Sequence, residues 1–168
     1  LDGELSSELA AIPYAGVATV NLAFSGSFTL PMAAGFVIPA VEGRGTIACT
    51  FAHAKYPGRA PQGTVLLRAF VGGAMHEDRL ALDDTTLIRQ TLVDLRSYLG
   101  NLSEPRLARV HRWPKAMAQY VVGHQQRVAR IRALTPDGLH LVGNGFDGVG
   151  IPDVASQAAA VFPPVLRD

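Results

Sequence analysis

Apolar residues recur about one helical turn apart at Leu1, Leu5, Leu9 and Ile12, and Pro13 ends that pattern, which predicts a short opening helix. The period then shortens. Gly16 to Phe24 is rich in Val, Ala and Thr and runs into Ser25, Gly26 and Ser27, so it reads as a strand closed by turn formers. Three further strands are expected at Gly35 to Pro39, at Thr46 to His53 after the turn at Glu42 to Gly45, and at Thr64 to Val71 after the loop YPGRAPQG. Together the four predict an antiparallel meander. Leu87, Leu92, Leu95 and Leu99 then recur at helical spacing between a capping Asp83 or Asp84 and Gly100. Beyond it lie a brief strand at Val110 to Trp113 and a half-exposed helix at Gly123 to Leu134. A turn at Pro136 to Gly138 leads to a short strand at Leu139 to Val142, and a proline-initiated helix covers Pro152 to Phe162. The expected fold class is α+β.

Composition narrows the function classes. With 168 residues, 48% hydrophobic and 17% charged, the chain is long and apolar enough to fold around a core, and disorder is excluded. A formal net charge of +1 gives no basic face for nucleic acid. The single cysteine, Cys49, lies in an apolar run and has no partner for an internal disulfide, which points to a reducing, cytoplasmic setting. No uninterrupted apolar stretch approaches the roughly 20 residues of a membrane span. Because the chain opens on Leu1 inside an amphipathic segment, it reads as a fragment.

Candidate chemistry concentrates in GLHLVGNGFDGVGIPDVASQAAAVF, where glycines 143, 145, 148 and 150 lead into a helix start at Ile151 and Pro152. Glycines allow a backbone to approach a ligand closely, and the free N–H groups and dipole of a helix start favour negative charge in front of them. Asp153 in the first turn disfavours a phosphate there and leaves a spread partial charge, such as that on a flavin ring, as the better match. The same spacing also describes an ordinary glycine-rich turn before a helix.

This stretch resembles the carboxyl-terminal signature of the protoporphyrinogen oxidases, within the flavin amine oxidases. Upstream, IPYAGVATVNLAF, GFVIP, YPGRAPQGTVLLRAFVGGA and RWPKAMAQYVVGHQQRV follow in that family's order, so the resemblance covers nearly the whole chain. It implies an enzyme in which FAD takes hydride equivalents from a porphyrinogen and O2 reoxidises it, in haem biosynthesis. The implied substrate is protoporphyrinogen IX, with coproporphyrinogen III as the alternative. The backbone at Gly143, Asn144, Val149, Gly150 and Ile151 would contact the flavin, with Gln125 a further candidate, and Gly35, Val37 and Phe70 would line the porphyrinogen. Plain core packing is the other reading of Val37 and Phe70. The sequence departs from the family at Ala34, where a bulkier residue is common, at Ala118, where proline is common, and at Gln125, where an aromatic can follow the Gly-His pair.

The resemblance further implies a partial substrate-binding region at residues 1–135 and the last segment of an FAD-binding domain at 136–168. A GxGxxG fingerprint opening a helix after a strand does not occur, so the chain alone is expected to be inactive. Two other classes fit the same residues: a different flavin amine oxidase relative, or a non-enzymatic domain that binds a tetrapyrrole. The histidines show no metal-ligand spacing and no catalytic base can be named, whereas His124, beside Gln119 and Tyr120, suits a structural hydrogen bond. Arg127, Arg130 and Arg132 fit a solvated helix face or peripheral contact with an anionic membrane. Uncovered apolar surface makes homo-oligomers an expectation.

Overall fold

The computed structural model describes residues 3–26 and 29–161. The described elements run α1 (Gly3–Ala10), β1 (Tyr14–Ser25), β2 (Gly35–Val37), β3 (Thr46–Phe51), α2 (Ala52–Lys55), β4 (Thr64–Gly72), α3 (Asp84–Leu99), β5 (Leu107–Ala118), α4 (His124–Leu134) and α5 (Ile151–Val161), with 3-10 turns at Ala40–Glu42 and Glu77–Ala81. This is the expected α+β fold. Leu1 and Phe162, at the outer ends of two predicted helices, lie outside the described residues.

The sheet order is β2-β3-β4-β1-β5, and the pairs β1/β4, β2/β3 and β3/β4 are antiparallel. The four-strand meander is therefore corrected. Only β2, β3 and β4 follow one another, while β1 pairs along its length with β4, from Val17 opposite Gly72 to Ser25 opposite Thr64. That places the longest apolar run in the sheet's interior. Ala18, Val20, Leu22 and Phe24 of β1, Val65, Leu67, Ala69 and Val71 of β4, and Cys49 and Phe51 of β3 turn one face into the core. Leu87, Leu92 and Leu95 of α3 belong to the same core. Each such fully buried leucine contributes about 1.5–3 kcal/mol of apolar transfer.

Asp83 caps α3 by accepting the Thr86 N–H at 2.9 Å, and the Gly100 N–H bonds to the Arg96 carbonyl at its other end. Strand lengths differ from expectation as well, β1 running from Tyr14 to Ser25 and β2 ending at Val37. The segment expected to continue as strand to His53 turns at Ala52 into α2, whose His53 Nδ1 accepts the Leu66 N–H at 3.3 Å and so covers β4 where β3 stops. The brief strand at Val110 to Trp113 is part of the 12-residue β5, which tolerates Pro114 because it lies at the sheet's edge. Leu139 to Val142 is not a strand. A strand needs a partner for its ladder, and the Leu139 N–H instead closes a turn on the Pro136 carbonyl.

Packing divides the chain into two compact units, Gly16–Pro114 on one hand and Leu1–Ala15 with Lys115–Asp168 on the other. In the second unit α1 packs with α4. Leu5, Ile12 and Ile131 form that unit's core with Leu9, Leu134, Leu141 and Phe146 around them. Glu8 of α1 meets Arg127 at 2.6 Å and Arg130 at 2.9 Å, and Arg132 pairs with Asp147. The basic stripe of α4 is thus matched by carboxylates of the same unit. Among the described residues no helix is long and apolar enough to cross a membrane.

Candidate functional site

The first group of candidate residues belongs to the sheet. Registers place Gly35 opposite Thr50, Thr50 opposite Arg68, and Arg68 opposite Asn21. One step along, Val37 lies opposite Ala48, Ala48 opposite Phe70, and Phe70 opposite Thr19. Because side chains alternate across a strand, both rows stand on the face away from the core. Gly35, Val37 and Phe70 therefore share one open face, as a wall for a flat ligand requires. Val37 is 77% exposed and Phe70 half-buried, so neither is a core residue.

Gly35 has its own structural reason. Its φ is +151°, and a Cβ there would sit 2.2 Å from the Cys49 carbonyl oxygen, so β2 pairs this tightly with β3 only without a side chain. Phe36 faces the other way, against the rings of Phe51 and Tyr98. Beside the start of β2, Leu30, Ala34, Phe51, His53 and Lys55 border a cleft of about 520 Å³. Cys49, under the wall, has its thiol pushed up to about 12 by burial and stays protonated at neutral pH.

The second group lies in the bend before α5. The Gly143 N–H donates to Gln157 Oε1 at 3.1 Å, and the Gly150 N–H donates to Asp153 Oδ2 at 3.0 Å. Both amides are already used. The Asn144 side chain donates to the Ala116 carbonyl at 3.4 Å, and its own carbonyl accepts from the Tyr120 hydroxyl at 2.9 Å. Tyr120 also accepts the Gly148 N–H at 2.9 Å, so one phenol ties both ends of the bend. Gly148 has φ +133°, and a Cβ there would strike the Asp153 carboxylate at 2.6 Å. This glycine serves the fold of the bend itself.

His124 supports the arrangement from below. It is buried, its Nε2 lies 3.1 Å from the Phe146 carbonyl, and its ring stacks on Tyr120. That is the structural hydrogen bond expected of it. Gln125, the next residue, is exposed on the first turn of α4. Tyr120 and Gln157 hold the bend together with Asp153, yet nothing in the spacing of Tyr120 and Gln157 marks them for that role, since each acts across a stretch of chain that the sequence leaves unmeasured. Their signal was chemical only: a phenol close to His124 and an amide on the helix that follows the glycine-rich run.

What remains presented outward is Val149, 61% exposed, and Ile151, 87% exposed, with their amides at a helix start. A Cβ on Gly143 would meet nothing closer than the Phe146 ring at 4.0 Å. An apolar, amide-bearing rim of this kind fits the edge of an isoalloxazine ring, with Val149 and Ile151 as the residues able to hold it. Asp153 weakens the site for a phosphate by taking an N–H and adding negative charge. No residue of the apolar helix α5 is buried.

Comparison with known proteins gives the relatives of the chain as a whole. Residues 2–160 match the flavin containing amine oxidoreductase family. The chain is 39% identical over 135 residues to a coproporphyrinogen III oxidase of Bacillus subtilis (strain 168), a match covering 79% of the chain and 29% of that relative. It is 32% identical over 123 residues to a chloroplastic protoporphyrinogen oxidase of Nicotiana tabacum, covering 70% of the chain and 22% of the relative. A crystal structure assigned as a protoporphyrinogen oxidase from Exiguobacterium sp. 255-15 superposes with a TM-score of 0.80 at 31% identity, over 92% of this chain and 35% of the other. The chain thus spans about a third or less of the length of these relatives.

Proposed function

Because the chain belongs to the flavin containing amine oxidoreductase family, we propose that the protein it forms part of is an FAD-dependent porphyrinogen oxidase of haem biosynthesis. The observation that carries this reading is the open face of the sheet, where Gly35, Val37 and Phe70 stand in adjacent rows and make a broad wall for a macrocycle. When bound, FAD supplies the chemistry by accepting hydride equivalents from the porphyrinogen and passing them to dioxygen, with release of peroxide. The residues of this chain position. Val149 and Ile151, with the backbone from Gly143 to Gly150, present a rim to the flavin edge, and Gln125 lies outside that rim as a peripheral contact. Tyr120, His124 and Gln157 keep the rim in shape.

In this reading α5 packs against further parts of the flavin domain, which accounts for an apolar helix with no buried residue. The unpaired, buried Cys49 suits a cytoplasmic location. Coproporphyrinogen III is the favoured substrate, supported by the 39% identity to an oxidase of that name. Protoporphyrinogen IX is the second reading, supported by the chloroplastic relative and the Exiguobacterium structure.

The test is oxidation of both porphyrinogens by the full-length protein loaded with FAD, followed as porphyrin fluorescence together with dioxygen uptake. Faster turnover of coproporphyrinogen III supports the favoured reading, and faster turnover of protoporphyrinogen IX supports the second. Flavin binding with no reduction by either porphyrinogen overturns both.

A further inference from the structure

The five strands of the sheet contain no acidic residue at all. Their cations are unevenly placed. Arg112 of β5 is matched by Asp84, at 2.6 Å, and also donates to the Leu80 and Leu82 carbonyls. Among the described residues Arg68 of β4 has no such match. It stands on the open face, between Thr50 on one side and Asn21 on the other, one row from Phe70 and Val37. Its Nε donates to Asn21 Oδ1 at 3.2 Å, and among the described residues neither Nη group has a partner. Ala108 and Val110 pack against the core, so alternation turns Arg109 and His111 of β5 toward the same face as Arg68.

A half-buried guanidinium in the middle of a partly apolar wall without acidic residues loses hydration and, among the described residues, gains no carboxylate in return. The wall is complementary to a ligand that brings its own negative charge. We propose that Arg68, oriented by Asn21, binds a carboxylate of the substrate through its Nη groups and thereby favours a macrocycle carrying a carboxylate on every ring. Coproporphyrinogen III has that pattern, with a propionate on each pyrrole in any orientation. Protoporphyrinogen IX carries propionates on only half of its rings and presents a vinyl edge in the others. The inference rests on the porphyrinogen reading of this same wall and adds the residue that discriminates between its two substrates.

The experiment has two arms on the full-length flavoprotein. In the first, KM and kcat are measured for both porphyrinogens with wild type, Arg68→Gln and Arg68→Lys. Arg68→Gln is expected to raise KM for coproporphyrinogen III about tenfold, the size of one charge-assisted hydrogen bond, with little change in kcat and a smaller effect on protoporphyrinogen IX. Arg68→Lys restores most of the loss. In the second arm, coproporphyrin III and its tetramethyl ester are titrated by fluorescence. Arg68→Gln should weaken the free acid and leave the ester unchanged.

An equal loss for acid and ester, or none for either, overturns the role of Arg68. If wild type oxidises neither porphyrinogen, the enzymatic reading fails, and the acid-to-ester ratio still decides whether Arg68 meets a carboxylate. Should Arg68→Gln not fold, Asn21→Ala reads the same contact: a lowered acid-to-ester preference upholds the proposal and an unchanged one overturns it.

Discussion

The phenol of Tyr120 lies flat on the imidazole of His124, with ring centroids 3.9 Å apart and planes inclined by 13°. The stack fixes where the Tyr120 hydroxyl points, and from there it accepts from Gly148 and donates to Asn144. A single side chain of the strand-to-helix connection therefore sets the curvature of the glycine-rich bend. Tyr120→Phe keeps the stack and removes both hydrogen bonds. Because these bonds are solvent-accessible, the expected loss of stability is about 1 kcal/mol, read from chemical denaturation. Flavin affinity of the full-length protein should fall by more than that loss implies, about tenfold, if the bend forms the flavin rim.

Gly35 offers a sharper test of the wall. A methyl group there meets the Cys49 carbonyl at 2.2 Å and strains φ +151°. Gly35→Ala should cost about 1–3 kcal/mol or more, and the β2/β3 amides should lose protection in hydrogen exchange while those of β1/β4 keep theirs. Uniform loss across the sheet would contradict this local account.

Cys49 should be inert in the native protein. Burial holds its thiol at about 12, far above neutral pH, so almost no thiolate forms and no reagent reaches it. Iodoacetamide at pH 7.5 is expected to leave the native protein unlabelled and to modify Cys49 in denaturant, as mass spectrometry would report.

Glu8 carries a pH dependence of known sign. Its hydrogen bond to Arg130, and then the charges of Arg130 and Arg127, hold its carboxyl below the ordinary value of 4.5, outweighing the opposing effect of burial. A carboxyl depressed in the folded state contributes stability above its unfolded value, and that contribution is lost as pH falls through the folded value. The thermal midpoint should therefore drop on acidification below about 4.5, and Glu8→Gln should shrink that drop while lowering the midpoint at pH 7. Equal acid sensitivity in the variant would remove Glu8 from the account. Screening by 0.5 M salt should weaken the pH 7 effect, because Arg130 is exposed and Glu8 partly so.

Much of this architecture was legible in the chain. Helical spacing of leucines around Asp83 and Gly100 located α3, and runs of alternating or small apolar residues located β1 and β4, because period and capping are local properties. Family motifs brought Gly35, Val37 and Phe70 to notice, and the bend residues from Gly143 to Ile151 stood out by their glycines. The partner of β1 was not legible. Nothing between Ser25 and Thr64 states that β1 skips β2 and β3 and pairs with β4, since strand choice depends on which apolar faces must be buried together across a long stretch of chain. Leu139 to Val142 misled for the same reason, because a strand-like composition forms no strand without a ladder.

The sequence by itself determined the class of fold, the position of most helices and strands, and the glycine-rich connection as the place of candidate chemistry, all through local spacing and residue type. Tertiary structure alone decided that Thr50, Arg68 and Asn21 share a row, that Tyr120 and Gln157 hold the bend, and that Glu8 answers the arginines of α4. Those contacts join residues separated by many positions in the chain. Their geometry comes from register and packing, which follow from burying one face of the whole sheet and cannot be read from any single segment of it.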